Sequence, residues 1–128
     1  MAPSVRASQP GRGMIKVKRI YETASSGDGY RVLVDRIWPR GVARESARIK
    51  EWLPEIAPSP DLRRWYAHDP KRWDEFCLRY FVELEGKPEI VRHLRGIAGR
   101  KTMTLLFGAR ETMWNNAAAL KIYLDGPA

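Results

Sequence analysis

Tyr30–Gly41 reads YRVLVDRIWPRG, and its first half decides the fold. Val32, Leu33 and Val34 run apolar without alternation, the pattern of a strand covered on both faces, as in the parallel sheets of α/β proteins. The reading places a strand over Tyr30–Ile37. Trp38, Pro39, Arg40 and Gly41 stop it, because proline donates nothing to a central ladder and keeps the residue before it extended. Upstream, Ile15, Val17, Arg19 and Tyr21 alternate with Lys16, Lys18 and Ile20, the period of two of a half-buried basic strand. Thr23–Gly29 (TASSGDG) supplies the turn between the two. Downstream, Thr102–Phe107 (TMTLLF) is the third strand.

The sequence between these strands has helical signals. A helix is expected over about Val42–Leu53, with Val42, Ser46, Ile49 and Leu53 on one stripe and Pro54 as its breaker. Ser59 followed by Pro60 reads as an N-cap with proline in the first helical position, opening a short helix to Tyr66, and Asp69 with Pro70 repeats the device. Trp73, Phe76, Cys77, Tyr80, Phe81 and Leu84 then recur at three-and-four spacing up to Gly86, the strongest amphipathic signal in the chain. A further helix starts at Pro88 and ends before Gly99, and a last one runs from about Met113 to Leu124 with Gly126 as its stop. Strands so far apart need crossovers, not hairpins. The expected architecture is a single α/β domain, helix-rich, in which a small and largely parallel sheet is flanked by helices in a Rossmann-like three-layer arrangement.

Length and composition agree with that reading: 128 residues, 44% apolar and 30% charged, suit one core. The domain is expected over residues 14–126, with residues 1–13 a disordered extension carrying Arg6 and Arg12. No apolar run spans a membrane and Met1–Gly13 lacks the apolar core of a secretory signal, so a cytoplasmic protein without membrane contact is expected. Cys77 stands alone and the two histidines, His68 and His93, are far apart in sequence. That pattern argues against a zinc site or a Cys/His nucleophile, and neither metal nor cofactor is expected. No Gly-rich phosphate fingerprint is present either. The formal charge of +8 favours an anionic partner, whether a small molecule or a nucleic acid. The sequence leaves monomer and homodimer equally open.

Ligands of open parallel sheets bind outside the carboxyl ends of the strands. Two segments end there. The first carries Asp35, Arg36, Trp38 and Arg40, two guanidinium groups able to grip an oxyanion beside one carboxylate. The second carries Arg110, Glu111, Thr112, Asn115 and Asn116 and leads into a helix whose free amides favour negative charge. If the two strands are neighbours, one crevice holds Arg36, Arg40 and Arg110 as anion contacts, Asp35 or Glu111 as acid or base, and Asn115 or Asn116 as neutral hydrogen-bonding groups. His68 is a further candidate ligand contact, since Asp69 is better used as a cap. Each candidate also has a structural alternative. Asp35 can form an ion pair with Arg36 or Arg40, Glu111 and Thr112 can cap the last helix, and the asparagines can serve as turn or cap residues. The aromatic block Trp52–Phe81 reads mainly as core, with Trp65 or Tyr66 left for the surface.

Three blocks, Tyr30–Gly41 (YRVLVDRIWPRG), Glu51–Tyr80 (EWLPEIAPSPDLRRWYAHDPKRWDEFCLRY) and Thr104–Leu124 (TLLFGARETMWNNAAALKIYL), resemble the YeaO-like branch of the DUF488 family over about Met14–Asp125. The resemblance implies an α/β fold of unknown function and emphasises Asp35, Arg36, Pro39, Arg40 and Gly41 together with Glu111–Asn116. This chain departs from the branch at one place: where its members read Ala-Lys-Asp and then a histidine before the asparagine, it has Ala109, Arg110, Glu111 and then Trp114 before Asn115. The missing imidazole weakens an acid/base or metal role there. Three functions follow as expectations. The first is binding of a phosphorylated or other anionic ligand at the strand ends, with catalysis left open. The second is a non-catalytic nucleic-acid-binding or regulatory module using Lys16, Lys18, Arg19, Arg63, Arg64 and the basic extension. The third is a protein-interaction or structural domain.

Overall fold

The computed structural model describes residues 13–127, so the extension expected over residues 1–13 lies outside it apart from Gly13. Four strands, β1 (Ile15–Arg19), β2 (Tyr30–Leu33), β3 (Glu51–Trp52) and β4 (Met103–Phe107), form one sheet in the order β1-β4-β2-β3. Every pair is parallel. The helices are α1 (Pro60–Tyr66), α2 (Trp73–Glu85), α3 (Pro88–Ala98) and α4 (Asn116–Asp125). This is the expected α/β class. β4 lies between β1 and β2 and is buried along its whole length, which is why TMTLLF has no polar alternation.

The two faces of the sheet are covered differently. Val32, Val34, Met103, Leu105 and Phe107 pack against Phe76, Tyr80 and Leu84 of α2, Leu94 of α3 and Leu120 of α4. Leu33 and Leu106 point the other way, to Ile20 and Ile49 with Trp38, Val42 and Trp52 around them. The sheet is therefore the middle of three layers, helices on one side and irregular chain on the other. Residues 21–29 belong to that irregular layer and are pinned by Lys16 Nζ on the Gly27 carbonyl (2.9 Å), Lys18 Nζ on that of Thr23 (2.7 Å) and Thr104 Oγ1 on that of Asp28 (2.7 Å).

The helix expected over Val42–Leu53 does not form. Residues 43–49 make turns, in which Ala47 N donates to Ala43 O (3.0 Å), and Arg48 then adopts a left-handed φ of 54° that no helix continues through. The chain emerges extended as β3, an edge strand that the sequence reading lacked. Its gain is tertiary: Lys50 N and Leu53 N donate to Arg31 O and Leu33 O (2.9 and 3.0 Å), and Trp52 Nε1 donates to Asp35 O (2.8 Å). Helical spacing loses here to a ladder and a second apolar cluster.

Two boundaries also move. β2 leaves the ladder after Val34, whose N–H donates to Leu106 O (3.1 Å), and Ile37, expected inside the strand, is exposed. The last helix begins at Asn116, not near Met113. Asn115 caps it, its Oδ1 accepting from Ala118 N (2.9 Å), while Glu111 reaches only Met113 N in the preceding loop (3.0 Å). The Ser59 cap forms as expected: Leu62 N donates to Ser59 Oγ (3.1 Å), and Ser59 Oγ donates to Glu83 (2.6 Å).

Between β3 and α1 the chain passes through the interior, with Ile56, Ala57 and Pro58 all buried. Carbonyls buried there need partners. Side chains supply them: Lys87 donates to Glu55 O, Tyr80 OH to Ile56 O (2.6 Å), and Arg36 NH2 to Ala57 O and Pro58 O (3.3 and 3.1 Å). Among the described residues no helix is long and apolar enough to cross a membrane.

Candidate functional site

Just past β2, the chain turns two side chains in different directions. Asp35 reaches across the end of β4, where its Oδ2 accepts from Gly108 N (2.8 Å) and its Oδ1 from Asn116 Nδ2 (3.0 Å). The approach depends on glycine, since a Cβ on Gly108 would stand 3.1 Å from that Oδ2. Burial pushes the carboxyl pKa of Asp35 up, opposed by the Asn116 and Gly108 hydrogen bonds and by the charge of Arg63. No ion pair joins Asp35 to Arg36 or Arg40 among the described residues. The backbone and side-chain amides take the place expected of a guanidinium.

Arg36 extends toward the loop after β3, where one NH2 group holds the Ala57 and Pro58 carbonyls while its Nε is buried without a partner. Between these two side chains opens a cavity of about 400 Å³ at the carboxyl ends of the strands. The segments that follow β2, β3 and β4 all line it, through Asp35, Arg36 and Ile37, through Ala57 and Pro58, and through Ala109. Arg63, Arg64 and Tyr66 of α1 form another wall, Phe76 an apolar patch, and Asn115 and Asn116 the side at the start of α4. The two strand ends singled out from sequence do share one crevice, because β2 and β4 are neighbours.

Not all candidates reach it. Asp35, Arg36, Asn115, Asn116 and His68 line the cavity. Trp38 packs on the opposite face of the sheet, edge-on to Trp52 at 5.3 Å, with its Nε1 donating to Val42 O (2.8 Å). Arg40 is exposed and offers only its carbonyl, to Tyr21 OH (3.0 Å). Arg110 is exposed, and neither it nor Glu111 lines the cavity. Asn115 spends its amide on the α4 cap and on Glu111 O (2.9 Å). Asn116 donates to Asp35 and to Val34 O (3.2 Å), and its own oxygen takes no hydrogen bond from the described residues.

His68 stands at the rim because Ala67 and His68 both adopt left-handed φ, 48° and 56°. Two such residues in succession, neither of them glycine, are uncommon. Their geometry ends α1 and sets the imidazole 6.2 Å from the Tyr66 ring. Burial, and then the charge of Glu111, pushes the Tyr66 hydroxyl pKa up to about 12, so it stays neutral and donates to Trp114 O (3.0 Å).

Arg63 and Arg64 replace Arg40 and Arg110 as the cations of this crevice. Arg64 pairs with Asp61, whereas Arg63 makes no ion pair among the described residues. The signal for them was present in the sequence: a capped helix with arginines in its first two turns. From sequence both arginines are candidates for a nucleic-acid face and not for the crevice, because β3, the strand end from which α1 departs, is two residues long and has no period of its own. Among the described residues no group of three or more His, Cys, Asp or Glu side chains is placed to hold a metal ion.

Residues 14–127 match the family described as the inactive DUF488-N3 subclade. The chain belongs to the DUF488 family. It is 41% identical over 112 residues to the uncharacterized protein Rv3073c of Mycobacterium tuberculosis, covering 88% of this chain and 94% of that one. With the uncharacterized protein YeaO of Escherichia coli the identity is 37% over 110 residues, 86% of this chain and 96% of the relative. No solved structure matches this DUF488 protein. Within the family frame, the carboxylate of Asp35 has both oxygens held by donors, and Trp114 contributes only a carbonyl, to Tyr66.

Proposed function

We propose that this DUF488 protein binds a small anionic ligand, phosphorylated or otherwise, in the cavity at the strand ends, and that Arg36 and Arg63 are its charge contacts. The observation that carries the reading is one cavity lined by both Arg36 and Arg63, the second with no ion pair or side-chain hydrogen bond among the described residues. Guanidinium groups match oxyanions in shape and charge, and a mostly apolar concavity with a few convergent polar groups is the usual form of a small-molecule site. Turnover is not part of the proposal. The description of the subclade as inactive accords with binding alone, as does a carboxylate already engaged by two donors.

The test is thermal unfolding with inorganic phosphate and pyrophosphate at high salt, for the wild type and for Arg63→Ala. A ligand that binds only the native state raises Tm by mass action, by several degrees once it is about a hundredfold above its Kd. Arg63 is exposed and its side chain donates to none of the described residues, so its removal should change the unliganded Tm little and reduce the shift. Arg36→Ala is the poorer probe because it also frees two buried carbonyls. A shift that is identical in Arg63→Ala, or no shift with either anion, overturns the assignment.

A further inference from the structure

Beside its guanidinium groups the cavity presents acceptors. The amide of Asn116 is oriented by its own bonds, Nδ2 donating to Val34 O and to Asp35 Oδ1 (3.2 and 3.0 Å), which leaves its oxygen facing other company, neither buried nor bonded among the described residues. Asp35 receives one donor on each oxygen, and each retains a further lone pair. Two neighbouring acceptors are thus fixed in position by a bond between them. A bare oxyanion would set more acceptors against them and gain nothing there. Neutral donors on adjacent ligand atoms would be held by both.

We infer that the ligand of this cavity is an anion carrying hydroxyl groups beside its charge, as a sugar phosphate does, with Asp35 and Asn116 accepting from the hydroxyls while Arg36 and Arg63 hold the phosphate. The inference rests on the anion-binding reading and supplies the other half of the ligand. An ammonium donor fits less well, because it would lie in the field of Arg36 and Arg63. Phe76, Pro58 and Ile37 give the C–H face of such a ligand an apolar wall. The volume of about 400 Å³ falls within the range of small-molecule sites and excludes a duplex.

Calorimetric titration of the full chain with ribose 5-phosphate, inorganic phosphate and ribose tests it. Ribose 5-phosphate should bind about tenfold tighter than phosphate, the gain that one or two ordinary net hydrogen bonds supply, and ribose alone far more weakly than either. Asn116→Ala should reduce the tenfold preference, whereas Arg63→Ala should weaken both phosphates by the same factor and keep it. Because the wild-type comparison needs no variant, loss of folding in Asn116→Ala would not protect the inference. Equal affinity for phosphate and ribose 5-phosphate overturns the hydroxyl inference and leaves the anion reading standing. Absence of binding by all three ligands overturns the anion reading itself, and the inference with it.

Discussion

The carboxylate of Asp28 collects four donors on the irregular face of the sheet: Ser25 N (3.0 Å), Ser25 Oγ (3.2 Å), Lys18 Nζ (3.1 Å) and Arg31 NH1 (2.5 Å). Burial alone would raise its pKa, but these hydrogen bonds outweigh it and hold the carboxyl at about 2, below the ordinary 3.8. The sign follows from linkage. A carboxylate with a depressed folded pKa contributes stability that is complete above its unfolded value and is lost as the pH falls through about 2. Asp28→Asn should therefore cost on the order of 3 kcal/mol at neutral pH, since it leaves Lys18 and the buried Arg31 without their anion. Denaturant titrations at several pH values should show the gap between wild type and variant closing in acid. A variant equal to the wild type at neutral pH would refute the account. The sequence held little trace of this residue's role. Asp28 reads as a turn former, and only the register of β1 against β4 and of β4 against β2 brings Lys18 and Arg31 over it.

At the scale of elements, β3 shows what helical periodicity conceals. A strand of two residues has no period of its own, and its ladder partner lies some twenty positions upstream. The helices were legible because their signals are local: Ser59 with Pro60, the buried stripe Phe76, Cys77, Tyr80 and Leu84, Pro88, and Gly99 just past the end of α3. His93, exposed on α3, meets Glu51 of β3 at 2.9 Å, and Tyr30 OH donates to the same carboxylate (3.1 Å). This contact ties the edge strand to the helical layer. His93→Ala should speed hydrogen exchange at the Lys50 and Leu53 amides, whose bonds to Arg31 O and Leu33 O hold β3 in place. Global stability should fall by less than about 1 kcal/mol, because the pair is partly exposed. Exchange unchanged at both amides would show that Trp52 and its neighbours hold the strand without the histidine.

At the scale of the whole molecule, a charge of +8 invites a polynucleotide, and the fold divides those cations into committed and free. Lys16 and Lys18 are turned onto backbone carbonyls of residues 21–29, Arg19 donates to Ala109 O (2.9 Å) and lies over Tyr21, and Arg31 is buried. Arg79 pairs with Glu75 and covers the Trp65 ring at 4.2 Å, so the expected surface aromatic offers a base only a capped face. Arg63 and Arg64 stand at the cavity. Of the described cations proposed for a nucleic-acid face, Arg63 alone has no ion pair or side-chain hydrogen bond among the described residues, Arg64 being paired with Asp61; Arg6 and Arg12 of the extension lie outside the described residues. Any DNA binding by such scattered charges is counterion release alone, with log K falling by about 0.9 per phosphate neutralised for each decade of salt. Four contacts would lose on the order of a hundredfold between 50 and 200 mM salt, and deletion of residues 1–12 would lower the slope by about two units. A small phosphate in the cavity meets two guanidinium groups in a partly enclosed site, where screening is weaker, and should lose only a few-fold over the same range. Fluorescence anisotropy with labelled duplex DNA beside calorimetry with inorganic phosphate separates the two. Duplex affinity that survives 200 mM salt while phosphate affinity collapses would place the anion site on the open surface and empty the cavity of its role.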